Sequence, residues 1–211
     1  MTHTTSPLPS GIFSVGCYRA RLAELNGELV YTNGNAVRKT DGSLLLDAQS
    51  EILDIAKCGD GVVCVTDNGD LFSLSSDSQI EHLERGLHGE FSAVEVSDSF
   101  VITAHSLSHS VHVFDKKRLA LLSELSLPGL LNGLSVVDDG LIATADDRTL
   151  SIIDPRTPSF AQRSSPLVSA PTCIYATSHK LVVACEDRRV KIHDIRNLKA
   201  AARCTKPATK N

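Results

Sequence analysis

Three histidines, His105, His109 and His112, cluster around one long hairpin turn, and together they could hold a metal ion. Three histidines form one known type of catalytic zinc site. His105 and His112 can face each other across a hairpin, but no Asp or Glu is arranged near them as a base or to orient a ligand. The pattern predicts solvated loop histidines. The long turn that carries His105 and His109 is a candidate contact point for a partner, because loops on rigid scaffolds carry recognition.

Two aspartates, Asp147 and Asp187, lie in short turns between apolar segments. Carboxylates in such turns can bind a metal or transfer protons, but most often they accept hydrogen bonds from backbone amides. We therefore predict a structural role for both. The sequence contains no P-loop, no dinucleotide-binding glycine motif, no His-Glu-x-x-His and no nucleophile elbow. These observations predict no catalytic residue, no bound metal and no cofactor.

Composition and charge limit the class of protein. A chain of 211 residues with 42% apolar residues is long enough for one sizeable domain. The chain lacks Trp and is only 4% aromatic, so Val, Leu, Ile and Ala must form the core. A net charge of -4 argues against binding nucleic acid through bulk positive charge. No apolar run is long enough to predict a membrane span.

The six cysteines show no Cys-x-x-Cys spacing of the zinc-binding type. Four of them lie in or beside short apolar runs, where a thiol behaves as a small buried hydrophobe. The first residues, MTHTTSPLPSG, lack the basic and apolar regions of a secretion signal. We therefore expect reduced thiols and a cytoplasmic or nuclear protein.

A repeat of about 40 residues runs through the chain. Each unit has an apolar run, a polar turn and an alternating strand that ends in a small polar or acidic residue. The first apolar residues of the alternating strands are spaced by 34, 40, 39 and 40 residues, and the terminal residues have the same spacings. The first set is Val37, Leu71, Val111, Leu150 and Val190, and the second is Asp41, Ser75, Asp115, Asp154 and Asp194.

A strand-like run precedes each hairpin, and a more polar run follows most of them, which suggests four strands per unit. Four-stranded units at this interval predict an all-β protein, a β-propeller of about five four-stranded blades, because sheets that are apolar on both faces bury them by packing around an axis. We place a flexible segment at 1–10, one propeller domain at 11–198 and a basic flexible tail at 199–211. The blades lie near 17–47, 51–84, 91–126, 132–164 and 171–196.

The last three repeats resemble the signature of WD-repeat propellers, a turn Asp followed by an alternating strand that ends in Trp-Asp. The segments 111–115, 150–154 and 190–194 match it and end in Asp115, Asp154 and Asp194. Their Trp position holds Phe, Ile and His, and the first two repeats are degenerate. The resemblance covers nearly the whole chain. Another propeller family with four-stranded blades stays open as an alternative.

Closure of the ring has several possible solutions. Most WD-repeat propellers resemble seven-bladed rings, whereas this chain supplies five blades. Residues 12–15 can provide the outer strand of the last blade, beside 190–194, and close a five-bladed ring. Alternatively the ring is open and a partner completes it, or the chain is a reduced or truncated form of a longer propeller.

The resemblance and the missing catalytic motifs predict a non-catalytic scaffold for protein–protein interactions within a larger complex. Asp-x-Arg segments ending at Arg156 and Arg196 match the end of the family's Trp-Asp-x-Arg box. In some members that box resembles a docking element for a cullin-ligase adaptor, which makes the substrate-receptor subunit of a ubiquitin ligase one alternative. A small propeller hydrolase or esterase with its site in the axial funnel, and His105 or His179 as base, is the other.

Overall fold

The computed structural model describes residues 22–77, 79–84, 91–105, 108–137, 140–157, 159–200 and 203–205. These residues form five antiparallel sheets of four strands each, with one short 3-10 helix at Ile195–Asn197. The predicted all-β propeller with five four-stranded blades is confirmed. Residues 1–10, 12–15 and 206–211, which belong to the predicted N-terminal segment, closing strand and tail, lie outside the described residues.

The sheets follow one another along the chain, and their strands pair in sequence order. Sheet 1 contains β1 (Leu22–Leu25), β2 (Glu28–Asn33), β3 (Ala36–Lys39) and β4 (Leu44–Asp47). Sheet 2 contains β5 (Ile52–Cys58), β6 (Gly61–Thr66), β7 (Leu71–Leu74) and β8 (Ile80–Glu84). Sheet 3 contains β9 (Phe91–Val96), β10 (Phe100–His105), β11 (Ser110–Asp115) and β12 (Leu121–Ser126). Sheet 4 contains β13 (Leu131–Val136), β14 (Ile142–Asp146), β15 (Thr149–Asp154) and β16 (Ser159–Arg163). Sheet 5 contains β17 (Pro171–Ala176), β18 (Lys180–Cys185), β19 (Val190–Asp194) and β20 (Arg203–Thr205).

The outer strand of sheet 5 differs from the prediction. β20 pairs antiparallel with β19, with Ile192 opposite Arg203, so the edge predicted for residues 12–15 is already occupied. Part of the segment predicted as a flexible tail is therefore a strand. An exposed strand edge gains backbone hydrogen bonds from an extended neighbour, and residues 203–205 reach β19 through a short connection with a small loop-closure cost.

Two repeat positions describe how the sheets pack, because side chains alternate between the two faces of a strand. The leading position lies in the second strand of each sheet, and its side chain faces the preceding sheet if one exists. The trailing position lies in the third strand of each sheet, and its side chain faces the following sheet if one exists. The leading residues are Leu29, Val62, Val101, Ile142 and Leu181. The trailing residues are Val37, Leu71, Val111, Leu150 and Val190.

The exposure at these two positions shows where the stack of sheets ends. The leading side chain is 0% exposed in sheets 2 to 5, but Leu29 in sheet 1 is 55% exposed. The trailing side chain is 0% exposed in sheets 1 to 4, but Val190 in sheet 5 is 38% exposed. Each pair of consecutive sheets has its own apolar cluster, and among the described residues no such cluster joins sheet 5 to sheet 1. Of the predicted alternatives for ring closure, both the open ring and the reduced or truncated form of a longer propeller agree with these exposures.

Buried side-chain hydrogen bonds fix neighbouring inner strands to each other at two interfaces. Asp54 Oδ2 in β5 accepts from the Val94 amide in β9 at 3.0 Å. Ser135 Oγ in β13 accepts from the Ala176 amide in β17 at 3.0 Å. Asp54 and Ser135 are both 6% exposed. A buried polar group must be hydrogen-bonded to avoid a large desolvation cost, so these bonds hold one relative placement of the sheets.

The two ends of the repeat provide a matched test of stability. Val111→Ala shortens a side chain that is 0% exposed between sheets 3 and 4, and we expect the free energy of unfolding to fall by about 2 kcal/mol. Val190→Ala makes the same change where the side chain is 38% exposed, and we expect a loss below about 1 kcal/mol. Chemical denaturation measures both. Equal losses in the two variants would contradict the assignment of sheet 5 as a terminal sheet.

Candidate functional site

The residues that end the third strands, or that follow them within two positions, accept hydrogen bonds from the turns beyond them. Asp115 Oδ1 accepts hydrogen bonds from the amides two and three residues later, at 3.0 and 2.8 Å. The Oδ1 atoms of Asp154 and Asp194 each accept from the amide two residues later at 3.0 Å. Asp41 does the same, and Ser75 Oγ accepts from the amide four residues later. Side-chain acceptors of this kind stabilise turns, which gives a physical reason for the acidic or small polar residue in every repeat.

The turn bonds of Asp115 can be tested by substitution. Asp115→Ala removes the acceptor for two backbone amides, and we expect a loss of about 1 kcal/mol in the free energy of unfolding. Asp115→Asn keeps a carbonyl acceptor at the same place and is the matched control, with a smaller expected loss. Thermal or chemical denaturation measures both changes. If the Asn variant lost as much stability as the Ala variant, the turn bonds would not be the cause.

The two turn aspartates bond to the chain itself. Asp187 Oδ1 accepts from the Arg189 amide at 3.2 Å. Asp147 adopts a left-handed backbone conformation with φ 44°, and its amide donates to the Leu130 carbonyl at 2.9 Å. A side chain on Gly129 would collide with Asp147 Oδ2, so glycine leaves the room that this carboxylate takes. Both aspartates are exposed.

The two candidate docking arginines differ in what their guanidinium groups contact. Arg196 is exposed, but its Nε and Nη2 atoms donate to Asp194 at 3.0 and 2.7 Å. These hydrogen bonds hold the pKa of Asp194 down at about 2. A partner carboxylate at Arg196 would therefore have to compete with Asp194. Arg156 is also exposed, and its backbone amide donates to Asp154.

The histidine prediction is wrong for two of the three residues. His105 is 0% exposed and His112 is 6% exposed, and both lie on the face of sheet 3 that packs against sheet 2. The His105 ring packs against the rings of Phe91 and His112, with centroid distances of 4.3 and 4.0 Å. A fully buried side chain cannot contact a partner, which rules out that role for His105. His109 is half-buried in the turn, with φ 48°.

Burial also removes His105 from acid–base chemistry. Desolvation lowers the pKa of His105 to about 3, and the neighbouring His112 adds to this shift. Among the described residues neither ring nitrogen of His105 has a hydrogen-bond partner. His112 Nε2 lies 3.2 Å from Ser110 Oγ and 3.4 Å from Glu124 Oε1. A base with so low a pKa and no access for a substrate does not suit hydrolysis near neutral pH.

The burial of His105 makes stability depend on pH. The unfolded chain binds a proton on this residue near pH 6.5, whereas the folded chain does so only near pH 3. The contribution of uncharged His105 to stability is therefore fully present above pH 6.5. As the pH is lowered towards 3, we expect the free energy of unfolding to fall by up to about 1.4 kcal/mol per pH unit. We expect His105→Phe to reduce this loss.

Denaturation at neutral and at mildly acidic pH measures that difference. His109→Asn is the matched control, because Asn tolerates the left-handed turn conformation and His109 is only half-buried. The acid sensitivity of the control should equal that of the unsubstituted chain. An unchanged sensitivity in His105→Phe would assign the pH dependence to other groups.

The inner strands of the five sheets surround a central cavity of about 750 Å³. Lys57 Nζ and Glu24 Oε1 form an ion pair on its wall at 3.0 Å, and Asp54 accepts backbone hydrogen bonds there. The polar groups named here are thus bonded to one another or to the backbone. The predicted propeller implied an axial funnel, but the sequence did not reveal which residues line it, because the lining is drawn from all five separate repeats. The only signal was the strand-like run that precedes each hairpin.

The thiols and other candidate ligands show no reactive arrangement. Burial raises the pKa of Cys58 and Cys185, and that of Cys64 to about 12, so these three are protonated at neutral pH. The five cysteines in the described part of the chain are free. Within the same ranges no group of three or more His, Cys, Asp or Glu side chains can hold a metal ion. No helix among the described residues has the length and apolar character needed to cross a membrane.

Comparisons with known proteins identify the fold of this chain but no family to which it belongs. No protein-family model and no curated protein match the chain. A chain in a crystal structure of the mitotic checkpoint complex has a similar fold, with a TM-score of 0.75 and 15% sequence identity. The similarity covers 91% of this chain and 67% of that chain. The fold is therefore like that of a WD40 propeller, and a third of the compared chain has no counterpart here.

Proposed function

We propose that this protein is a non-catalytic propeller scaffold that binds other proteins within a larger complex, in the cytoplasm or the nucleus. The observation that carries the proposal is the exposure at the two ends of the sheet stack, where Leu29 is 55% and Tyr175 is 64% exposed. Large exposed apolar side chains on a rigid framework mark protein-interaction sites. The similarity to a chain of a multiprotein complex supports the same reading.

The properties of the candidate catalytic groups support a binding role over an esterase. His105, the first candidate base, is buried with a pKa of about 3. His179, the remaining candidate base, is exposed in the turn after β17. Its carbonyl accepts a backbone hydrogen bond from the Ile195 amide. We propose Arg156 and His109 as further contact residues, because both are at least partly exposed in turns between strands.

Arg156 and Arg148 form a matched pair for locating the binding face. Arg156 lies in the turn after β15 and Arg148 in the turn before it, so both are exposed at opposite ends of one strand. After cross-linked affinity purification, we expect one partner to be recovered in constant ratio to the chain. Arg156→Glu should lower its recovery by about tenfold, whereas Arg148→Glu should leave it unchanged.

Two results would contradict this function. One is the absence of any recovered partner under cross-linking conditions. The other is hydrolysis of simple esters by the purified protein above the buffer rate, with loss of that activity in His179→Ala. If Arg148→Glu and Arg156→Glu changed the recovery of the partner equally, the scaffold function would stand. The partner would then not bind specifically at the end of the strand that carries Arg156.

A further inference from the structure

We infer that the turns after the third strands of sheets 3, 4 and 5 form a basic docking surface for an acidic segment of a partner protein. Counted from the aspartate that ends each third strand, these turns span residues 115–120, 154–157 and 194–200. We call the three turns together the basic turn surface. The inference deepens the proposed function and rests on it, because it states the chemistry of the partner and the surface that receives it.

The basic turn surface has an excess of positive charge, although the whole chain has a net charge of -4. Its three turns contain one aspartate each, and together they contain six lysines and arginines. The equivalent turns of sheets 1 and 2, at 40–43 and 75–79, contain one aspartate each and no lysine or arginine. The positive charge is therefore confined to three neighbouring sheets.

The opposite end of the same sheets lacks this excess. The turns between the second and third strands of sheets 4 and 5, at 147–148 and 186–189, contain equal numbers of acidic and basic side chains. An acidic segment is therefore attracted to one end of these sheets and not to the other.

The three turns are neighbours in space. Gln162 Nε2 in β16 donates to the Arg196 carbonyl at 3.0 Å, and the Leu198 amide donates to Gln162 Oε1 at 3.3 Å. These bonds join the outer strand of sheet 4 to the turn of sheet 5. Phe160, in the same outer strand, packs against the apolar cluster between sheets 3 and 4. The turn of sheet 4, which precedes this strand, thus has a neighbour on each side.

The aspartates of the basic turn surface are engaged within their own turns. Asp115 and Asp154 accept hydrogen bonds from backbone amides of the turns that they begin. Asp194 accepts from the amide and from the guanidinium of Arg196. Lys116 Nζ likewise donates to the Ser97 carbonyl at 3.1 Å. These bonds leave the other basic side chains of the surface without a carboxylate from within the turns.

Within the described part of the chain, four basic side chains of the surface form no ion pair or hydrogen bond. All four are exposed, and they are Lys117, Arg118, Arg156 and Lys199. A planar guanidinium binds a carboxylate through two parallel hydrogen bonds. Arg118 and Arg156 offer one such group in each of two neighbouring turns, so aspartates and glutamates of a partner fit this surface.

Exposed leucines beside the basic residues favour a protein over a nucleic acid as the partner. Leu121 and Leu122 begin β12 directly after the turn of sheet 3, and they are 40% and 53% exposed. Apolar side chains of a peptide pack on such residues, whereas a phosphate backbone has none to offer. The rest of the chain is more acidic than the whole, so it repels a long polyanion that extends beyond the surface.

Site-specific photo-cross-linking in cells that express the protein tests the location and the chemistry of the partner. A photoreactive phenylalanine analogue replaces Lys117, Thr157 or, as the matched control, Arg148. All three residues are exposed, and Arg148 lies at the opposite end of sheet 4. We expect Lys117 and Thr157 to cross-link to one protein, within a segment rich in aspartate and glutamate, and Arg148 not to cross-link to it.

A synthetic peptide with the sequence of the cross-linked segment gives the quantitative test, measured by fluorescence anisotropy with the full chain. The double variant Arg118→Glu with Arg156→Glu should weaken binding by about tenfold or more. The control variant Arg148→Glu with Arg188→Glu changes the net charge equally and should weaken binding by less than about twofold. Added salt should weaken binding to the unsubstituted chain. All four arginines are exposed, and circular dichroism melting verifies that the variants are folded.

The other outcomes are equally decisive. Equal weakening by the two double variants would overturn the inference, because the charge of the whole molecule would then be the cause. Tighter binding of an RNA oligonucleotide, or of phosphatidylcholine vesicles that contain phosphatidylserine, would overturn an acidic protein segment as the ligand. A partner that cross-links only at Arg148, or through a segment without excess acidic residues, would overturn the inference and leave the scaffold function standing. If no partner were recovered by cross-linking or by affinity purification, both would fall.

Discussion

The structure depends on the packing of one sheet face against the next. Each sheet is apolar on both faces, and a single four-stranded sheet of this kind cannot bury them alone. Stacking buries a leading residue and a trailing residue at every interface, as Val62 and Val37 show between sheets 1 and 2. The same contact recurs at each internal interface, so small branched side chains suffice and no large aromatic core is needed.

Polar residues within these interfaces add specificity to the apolar packing. The hydrogen bonds of Asp54 and Ser135 to the next inner strand require one sheet to lie in a particular register against the other. His105 has the opposite effect, since its buried ring packs well on Phe91 but satisfies neither nitrogen within the described residues. The interface between sheets 2 and 3 is therefore expected to lose stability in acid.

The same repeated contact accounts for the proposed binding site. A linear stack of sheets leaves one face without a neighbour at each end, unless the ring closes. Here Leu29 and Tyr175 remain exposed at the two ends. The groups first considered for chemistry have structural roles: His105 packs in an interface, and Arg196 pairs with Asp194. Recognition thus resides at the ends of the repeat and in the turns.

The sequence by itself determined the repeat, the four strands of each unit and the five-bladed propeller, because hydrophobic alternation and turn residues are local properties. It also identified Asp115 and its equivalents as the residues that end the repeated alternating strand. It could not determine the burial of His105, because that depends on which face of β10 meets sheet 2. Nor could it assign the outer strand of sheet 5: the sequence analysis gave that edge to residues 12–15, whereas the tertiary structure places 203–205 beside β19. Ring closure is likewise a tertiary property, since whether the last sheet meets the first depends on how the small rotation between neighbouring sheets accumulates from one end of the stack to the other.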